Sequence, residues 1–343
     1  MLVFVAGAIA IWVAGTALSK TTDVLDRRFG FGEELGGVVL LAIAGTLPEI
    51  AITVSAAAKG HLDIAAGNLI GGVAVQTMVL VVCDVAASRR QALTYLVGSL
   101  VPVVEALLVI FVVAGVMMGA LLPESTRIGP VSPASLAITL AWFAGIYAIN
   151  RARKSPRWRV ETPPGAQPGR PHRRIEHPQE KPSRMTATTA NAIVFFSVAS
   201  VVTLVAVVIL EVAGSDLASR AGINGVIFGA TVLSVASALP EISSGIAAVR
   251  LGDNELAIAD IFGGNSFQVV LFLVADLIAG KPVLPSAGNL NGWLAALGIA
   301  LTAIYAFGVI LRREACVARL GRDSVLALVV FGLGIAGLFV VPH

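Results

Sequence analysis

Residues 37–84 read GVVLLAIAGTLPEIAITVSAAAKGHLDIAAGNLIGGVAVQTMVLVVCD, and residues 229–276 read GATVLSVASALPEISSGIAAVRLGDNELAIADIFGGNSFQVVLFLVAD. The two stretches align without a gap at an offset of 192, and fifteen of the forty-eight positions are identical. The identities include Pro48-Glu49-Ile50 with Pro240-Glu241-Ile242, Gly71-Gly72 with Gly263-Gly264, Gln76 with Gln268, and Asp84 with Asp276. An acid inside an apolar segment is costly, and intramembrane acids mark ion pathways. An acid repeated beside a proline in two apolar segments points to a transporter whose site lies between two halves.

The rest of the chain fits that reading. Hydrophobic residues are 57% of its 343 residues, charged residues 13%, and the mean hydropathy is +0.88. Soluble domains carry roughly 25% charged residues. Stretches of about 20 apolar residues, enough to cross a bilayer, fall near 1–19, 33–58, 62–86, 92–122, 131–150, 188–213, 222–249, 255–279, 289–311 and 323–341. The expected fold is an all-α polytopic membrane protein with about ten transmembrane helices, arranged as two inverted five-helix repeats. Residues 1–150 form the first half, 151–187 a basic linker, and 188–343 the second half. The first stretch lacks a basic start and a clean cleavage site, so it is expected to remain as a helix. Cys83 and Cys316 give neither a disulfide framework nor a metal cluster.

Basic residues set the topology. With the N-terminus outside, twenty Lys and Arg residues fall on the inside, and Lys59, Arg127, Arg220 and Lys281 outside. This bias predicts both termini outside and the central loop in the cytoplasm, in a plasma (inner) membrane. Span 2 then runs inside to outside and span 7 outside to inside, so the repeats are inverted. The central loop holds ten basic residues and many prolines. It reads as a disordered linker that fixes topology, with a lipid-headgroup or regulatory contact as the alternative. The expected partners are the lipid bilayer and inorganic cations, not nucleic acid.

Proline lacks an amide hydrogen and clashes with the preceding turn. Pro48 therefore frees the carbonyl of Ala44, and Pro240 that of Ala236; such carbonyls are tolerated at membrane depth where they line a cavity. Glu49 and Glu241 follow directly. Thr46 lies three residues before Glu49 and Ser237 four before Glu241, on nearly the same helical faces. Gln76 and Gln268 each lie 27 residues beyond their glutamate, and their amide oxygens complete a candidate cage. Hard cations such as calcium take oxygen ligands of this kind.

At these residues the chain resembles the calcium/cation antiporter superfamily, which includes sodium/calcium and proton/calcium exchangers. The stretch Arg27–Glu49, RRFGFGEELGGVVLLAIAGTLPE, resembles its first alpha-repeat. The family repeat carries glycine-threonine-serine-x-proline-glutamate, then glycine-asparagine, then glycine-serine-asparagine followed by an asparagine or aspartate. Here the first repeat reads Ala44-Gly45-Thr46-Leu47-Pro48-Glu49, Gly67-Asn68 and Gly71-Gly72-Val73. The second reads Ala236-Ser237-Ala238-Leu239-Pro240-Glu241, Ala259-Asp260 and Gly263-Gly264-Asn265. The resemblance implies that Glu49 and Glu241 bind calcium and the counter-ion in turn, with Thr46, Ser237, Asn68, Asp260, Gln76 and Gln268 around them. The hydroxyls that typically build sodium sites are depleted: Gly72 and Gly264 stand where serines are usual.

Two ionised glutamates make a site of −2, which one calcium, two sodium ions or two protons would each neutralise. A net buried charge is expensive, so electroneutral exchange is expected. Asp260 would add a third charge, but it lies eight residues from Gln268, about 12 Å along an unbroken helix.

The leading function is a secondary antiporter that exchanges Ca2+ for Na+ or H+ by alternating access at a midplane two-glutamate site, with no cofactor. The rivals are a cation channel and a transport-dead receptor or scaffold. No nucleotide-binding loop and no enzyme constellation is evident. The other acids have plainer readings. Asp84 and Asp276 lie near span ends, where solvation competes with an ion-path role. Glu105 follows Pro102 within span 4 and is a relay acid or a packed structural one. Glu211 is expected to meet water at an outer span end. Asp63 and Glu255 begin helices, where acids favour the dipole. His61, His172, His177 and His343 sit in expected loops or at the terminus.

Overall fold

A computed structural model describes residues 2–29, 45–87, 91–154, 188–314, 316–317 and 319–341. Most of the basic loop (155–187), Arg89, Arg90, residues 33–44 of the second span, and His172, His177 and His343 lie outside the described residues.

The first part of the chain forms α1 (Leu2–Phe29), α2 (Leu47–Lys59), α3 (Leu62–Ala87), α4 (Val101–Ala120) and α5 (Pro133–Lys154). The second part begins with α6 (Thr189–Arg220) and α7 (Gly225–Phe228), which runs through a π-helical turn (Gly229–Leu233) into α8 (Ser234–Ser237). Then follow α9 (Leu239–Arg250), α10 (Asn254–Gln268), α11 (Leu271–Ala279), α12 (Gly288–Leu311), a small hairpin of β1 (Cys316–Val317) and β2 (Leu320–Gly321), and α13 (Arg322–Gly337).

Among the described residues, six segments are long and apolar enough to cross a bilayer: Leu62–Ala87, Val101–Ala120, Pro133–Arg153, Thr189–Arg220, Asn254–Ala279 and Gly288–Leu311. A seventh is Gly225–Ser237 with Leu239–Arg250, which meet at a bend of 44°. That bend falls at Ala238, beside Pro240, where the sequence places it. Pro48 likewise occupies the first turn of α2.

Several span limits differ from the sequence reading, for local reasons. The first helix runs on to Phe29, because residues 20–29 hold no glycine or proline. The fourth starts at Val101 and not near 92, with Pro102 in its first turn; proline is pre-organised for that position. The eighth span breaks at Val269-Val270 between α10 and α11.

The centre of the molecule is α3. Every residue from Ile64 to Thr77 is buried, as expected for a helix apolar on all sides. Packed around it are α2, α9, α10, α12 and the π turn. In contrast, α6 presents Val194, Val198, Val201 and Val205 outward, an apolar stripe suited to lipid, and lies along α1 on another face. Two short connections position the site. Gly60 takes a left-handed conformation (φ 79°), a cheap one for glycine, and its amide donates to Ala56 O and Ala57 O to end α2. Asp253 caps α10 by accepting from the Leu256 amide at 3.0 Å.

Candidate cation site

Glu49 lies in the first turn of α2, where the helix dipole favours an acid, and has no exposed surface. The Gln76 amide, from α3, donates to Glu49 Oε1 at 2.9 Å. Ser237, across the molecule at the end of α8, stands beside the same carboxylate; its hydroxyl donates to Ser234 O at 3.1 Å. Glu49 Oε2 is buried and has no hydrogen-bond partner among the described residues.

Glu241 occupies the matching place in the first turn of α9. It is half-buried, and its Oε2 is buried with no hydrogen-bond partner among the described residues. It lies within the electrostatic field of Glu49. Two acids, one from each repeat, thus act on each other electrostatically, and each has a carboxylate oxygen without a partner among the described residues. Such a pair repels itself and attracts a cation or protons.

The glutamines diverge. Gln268 Nε2 donates not to Glu241 but to Asn68 O and Leu69 O, both at 3.0 Å, and its Oε1 has no partner among the described residues. This approach requires a glycine: a β-carbon on Gly72 would run into the Gln268 amide. The reciprocal pair is looser. A β-carbon on Gly264 would meet Gln76 Oε1 and Thr46 Cγ2, each at an ordinary 3.9 Å.

Of the eight residues read from sequence, the structure brings Glu49, Gln76 and Ser237 together, with Thr46 buried beside Gly264 and Glu241 linked to Glu49 through its field. Asn68 is fully buried; its backbone oxygen holds Gln268, and its Oδ1 is 3.4 Å from Ser234 Oγ. Asp260 stands apart. Its side is exposed, its Oδ2 accepts from Ser244 Oγ at 3.1 Å, and it reaches Glu241 only through its field. Sequence reasoning missed Asn265 as a tie between the repeats. Its Nδ2 donates to Thr77 Oγ1 at 3.0 Å and lies 3.4 Å from Val73 O, while its Oδ1 is unpartnered among the described residues. The only signal was its place in the glycine-glycine-asparagine motif, since its counterpart is the apolar Val73.

The remaining acids correct their sequence readings. Asp84 and Asp276 are 1% and 0% exposed, so neither is solvated. Asp84 accepts from the Leu93 and Gly321 amides, each at 2.6 Å. Asp276 accepts from the Ser132 amide at 2.9 Å and the Val283 amide at 2.7 Å. Each carboxylate therefore fixes the loop after its own span and the start of a distant helix: α13 for Asp84, α5 for Asp276. Glu211 is also fully buried, bound by Ser55, Lys59 and His61. Glu105 is ion-paired with Arg153. Glu255 lies in the first turn of α10, but Ser99 Oγ donates to it at 2.5 Å, and the cap is Asp253.

All the free acceptors at the centre are oxygens, the donor set of a hard cation. No group of three or more His, Cys, Asp or Glu able to hold a resident metal occurs among the described residues.

Known proteins give an independent reading. A family model described as sodium/calcium exchanger protein matches residues 1–149 and 191–341. The inner membrane protein YrbG of Escherichia coli (strain K12) is 23% identical over 287 residues, covering 84% of this chain and 80% of that protein. The crystal structure of the H+/Ca2+ exchanger CAX superposes with a TM-score of 0.70 at 16% identity, covering 100% of this chain and 82% of that one. A structure of the sodium-calcium exchanger NCX_Mj superposes with a TM-score of 0.60 at 16% identity, covering 97% and 96%.

Proposed function

The chain belongs to the sodium/calcium exchanger family, a family of integral membrane transporters and not of enzymes, and on that premise we propose that it exchanges one divalent cation, calcium first, for two monovalent ions at the Glu49–Glu241 pair. The observation that carries this reading is the buried oxygen on each of the two glutamates that has no partner among the described residues. A cation placed there supplies the missing partner for both, and protons do so one carboxylate at a time. Leaving either carboxylate ionised and unpaired at membrane depth is expensive, so the site favours being loaded by one cargo or the other.

The count of charge makes the exchange electroneutral: one calcium or two monovalent ions balance −2. Among monovalent ions we favour protons over sodium. Gln76 Nε2 already donates to Glu49, and Gln268 Nε2 to the Asn68 and Leu69 carbonyls. A proton bound to a glutamate needs no further oxygen ligands, whereas two sodium ions would each need a shell of their own, and Thr46 and Ser237 are the one motif hydroxyl left in each repeat.

The wider arrangement we propose is ten spans in two inverted five-helix halves, 1–150 and 188–343, joined by a cytoplasmic linker at 151–187 with both termini outside. The reciprocal placement of Gly72 by Gln268 and Gly264 by Gln76, and of the Asp84 and Asp276 contacts, supports two such halves. Alternating access then means that the halves rearrange around a fixed site.

The test is radiolabelled calcium uptake into proteoliposomes under a sodium gradient or a pH gradient, imposed separately. Uptake driven by the pH gradient, insensitive to membrane potential and lost in Glu49→Gln and Glu241→Gln, is expected. Uptake driven by sodium would replace the counter-ion, a potential-dependent rate would overturn the one-for-two count, and uncoupled calcium current would indicate a channel.

A further inference from the structure

Glu211 is a buried acid that the exchange chemistry does not use. It sits in α6 among outward-facing Val208, Ile209 and Val212, where a bare carboxylate is costly. Both its oxygens are held from one short stretch of chain. Ser55 Oγ and Lys59 Nζ donate to Oε2 at 3.0 and 2.6 Å, and His61 Nδ1 lies 3.1 Å from Oε1. The left-handed turn at Gly60 brings Lys59 and His61 to the same carboxylate. The Lys59 and His61 side chains remain 36% and 42% exposed, so a buried acid is coupled to two groups that meet water.

The held stretch is the far end of α2, the helix whose first turn carries Glu49. Ten residues separate Glu49 from Lys59, about 15 Å of helix. With Pro48 at one end and Gly60 at the other, α2 is a short rigid rod. It is fixed at one end by Gln76 on Glu49 and at the other by Glu211. The other repeat does not carry the same residues: the positions displaced by 192 are Ser19, Ala247, Leu251 and Asp253, with no lysine or histidine among them. A hold present in one half only biases one arrangement of the halves over the other, since only differential interaction shifts an equilibrium.

Resting on the exchanger reading, we propose that Glu211 is a positioning residue for transport: through Ser55, Lys59 and His61 it sets the helix that carries Glu49. The other charged groups nearby are Asp216 and Arg220, paired with each other at 2.9 Å on α6, and Asp63, which a β-carbon on Gly225 of α7 would meet. The facing part of α1, around Phe4, Ala8 and Ile11, is apolar.

Calcium–calcium exchange at equal calcium on both sides, with no ion gradient, separates this role from counter-ion coupling. Glu211→Gln is expected to slow exchange about ten-fold, Lys59→Met similarly, and Lys59→Arg to restore most of the rate. His61→Gln, which leaves the Ser55 and Lys59 contacts in place, is expected to slow exchange about three-fold. Amide hydrogen exchange of the purified protein needs no transport. In Glu211→Gln, amides of residues 56–61 are expected to exchange about ten-fold faster while residues 64–77 keep their protection. Failure of Lys59→Arg to restore the rate, unchanged amides at 56–61, or loss of protection that spreads through 64–77 would each overturn the proposal. Absence of calcium movement in the unsubstituted protein would defeat the exchanger reading instead, and the amide measurement would still decide this one.

Discussion

The two copies of the repeat share their proline, acid, glycines and glutamine, yet they hold them differently. In the first, Glu49, Ile52, Asn68 and Gly72 are buried, and Gln76 donates to its own glutamate. In the second, Glu241, Ser244 and Gly264 are half-buried and Asp260 is exposed, while Gln268 turns away to the backbone of α3. Equal letters at an offset of 192 give equal helix breaks. They do not give equal partners, because the partners come from the other copy, where the packing differs. The centre is therefore two acids of one kind in two surroundings.

The comparison is broken most severely at the acids. Glu49→Gln and Glu241→Gln are each expected to lower calcium uptake by at least about a hundred-fold, and the double variant to do no worse, since residues acting as one unit are non-additive. A Glu241→Gln protein that keeps most of its uptake would show that the second copy contributes surroundings and not a ligand.

The glycines come next and separate the copies. Gly72→Ala puts a methyl group where the buried Gln268 amide lies on two carbonyls. We expect uptake to fall about ten-fold, with Gln268→Asn in the same protein recovering part of it. Gly264→Ala meets only ordinary contacts at 3.9 Å and is expected to stay within about two-fold. Equal losses in the two alanine variants would mean that the tight and loose pairs exchange roles during transport.

At the aspartates the copies converge. Asp84 and Asp276 each accept two backbone amides, and asparagine offers one acceptor oxygen where the carboxylate offers two. Asp84→Asn and Asp276→Asn are each expected to cost about 1–3 kcal/mol, read as a lower melting temperature of similar size, with uptake per folded molecule retained. Unequal losses would indicate that one loop matters more to the fold than the other.

These cases also mark what the sequence could disclose. The repeat, the apolar spans, the break at Pro240 and the paired glutamates follow from residue types at fixed spacing. Asp84 and Asp276 were visible as duplicated acids, but their partners are backbone amides, which leave no signature in sequence. Glu211 lies 152 positions from Lys59 and 150 from His61, so nothing local connects a lone acid in an apolar span to them. Gln268 was legible as a polar group at the right depth. Which oxygens its amide takes depends on the space left by Gly72, a tertiary fact.

The smallest expected effect belongs to Asp260, where the copies differ in charge: Asn68 in the first, an acid in the second. Asp260 hydrogen-bonds Ser244 and acts on Glu241 through its field alone. An accessible acid beside the site raises the local cation concentration without binding the ion. Asp260→Asn is therefore expected to raise the KM for calcium about two- to five-fold at low ionic strength, with kcat kept. The difference should shrink in high salt, where exposed charges are screened. A loss as deep as that of Glu241→Gln would make Asp260 a third ligand. The site would then carry −3, which three monovalent ions would neutralise, and exchange of one calcium for three monovalent ions moves one net charge across the membrane. Uptake by the unsubstituted protein would in that case follow the membrane potential, so one substitution and one voltage series together decide whether the second copy supplies one acid or two.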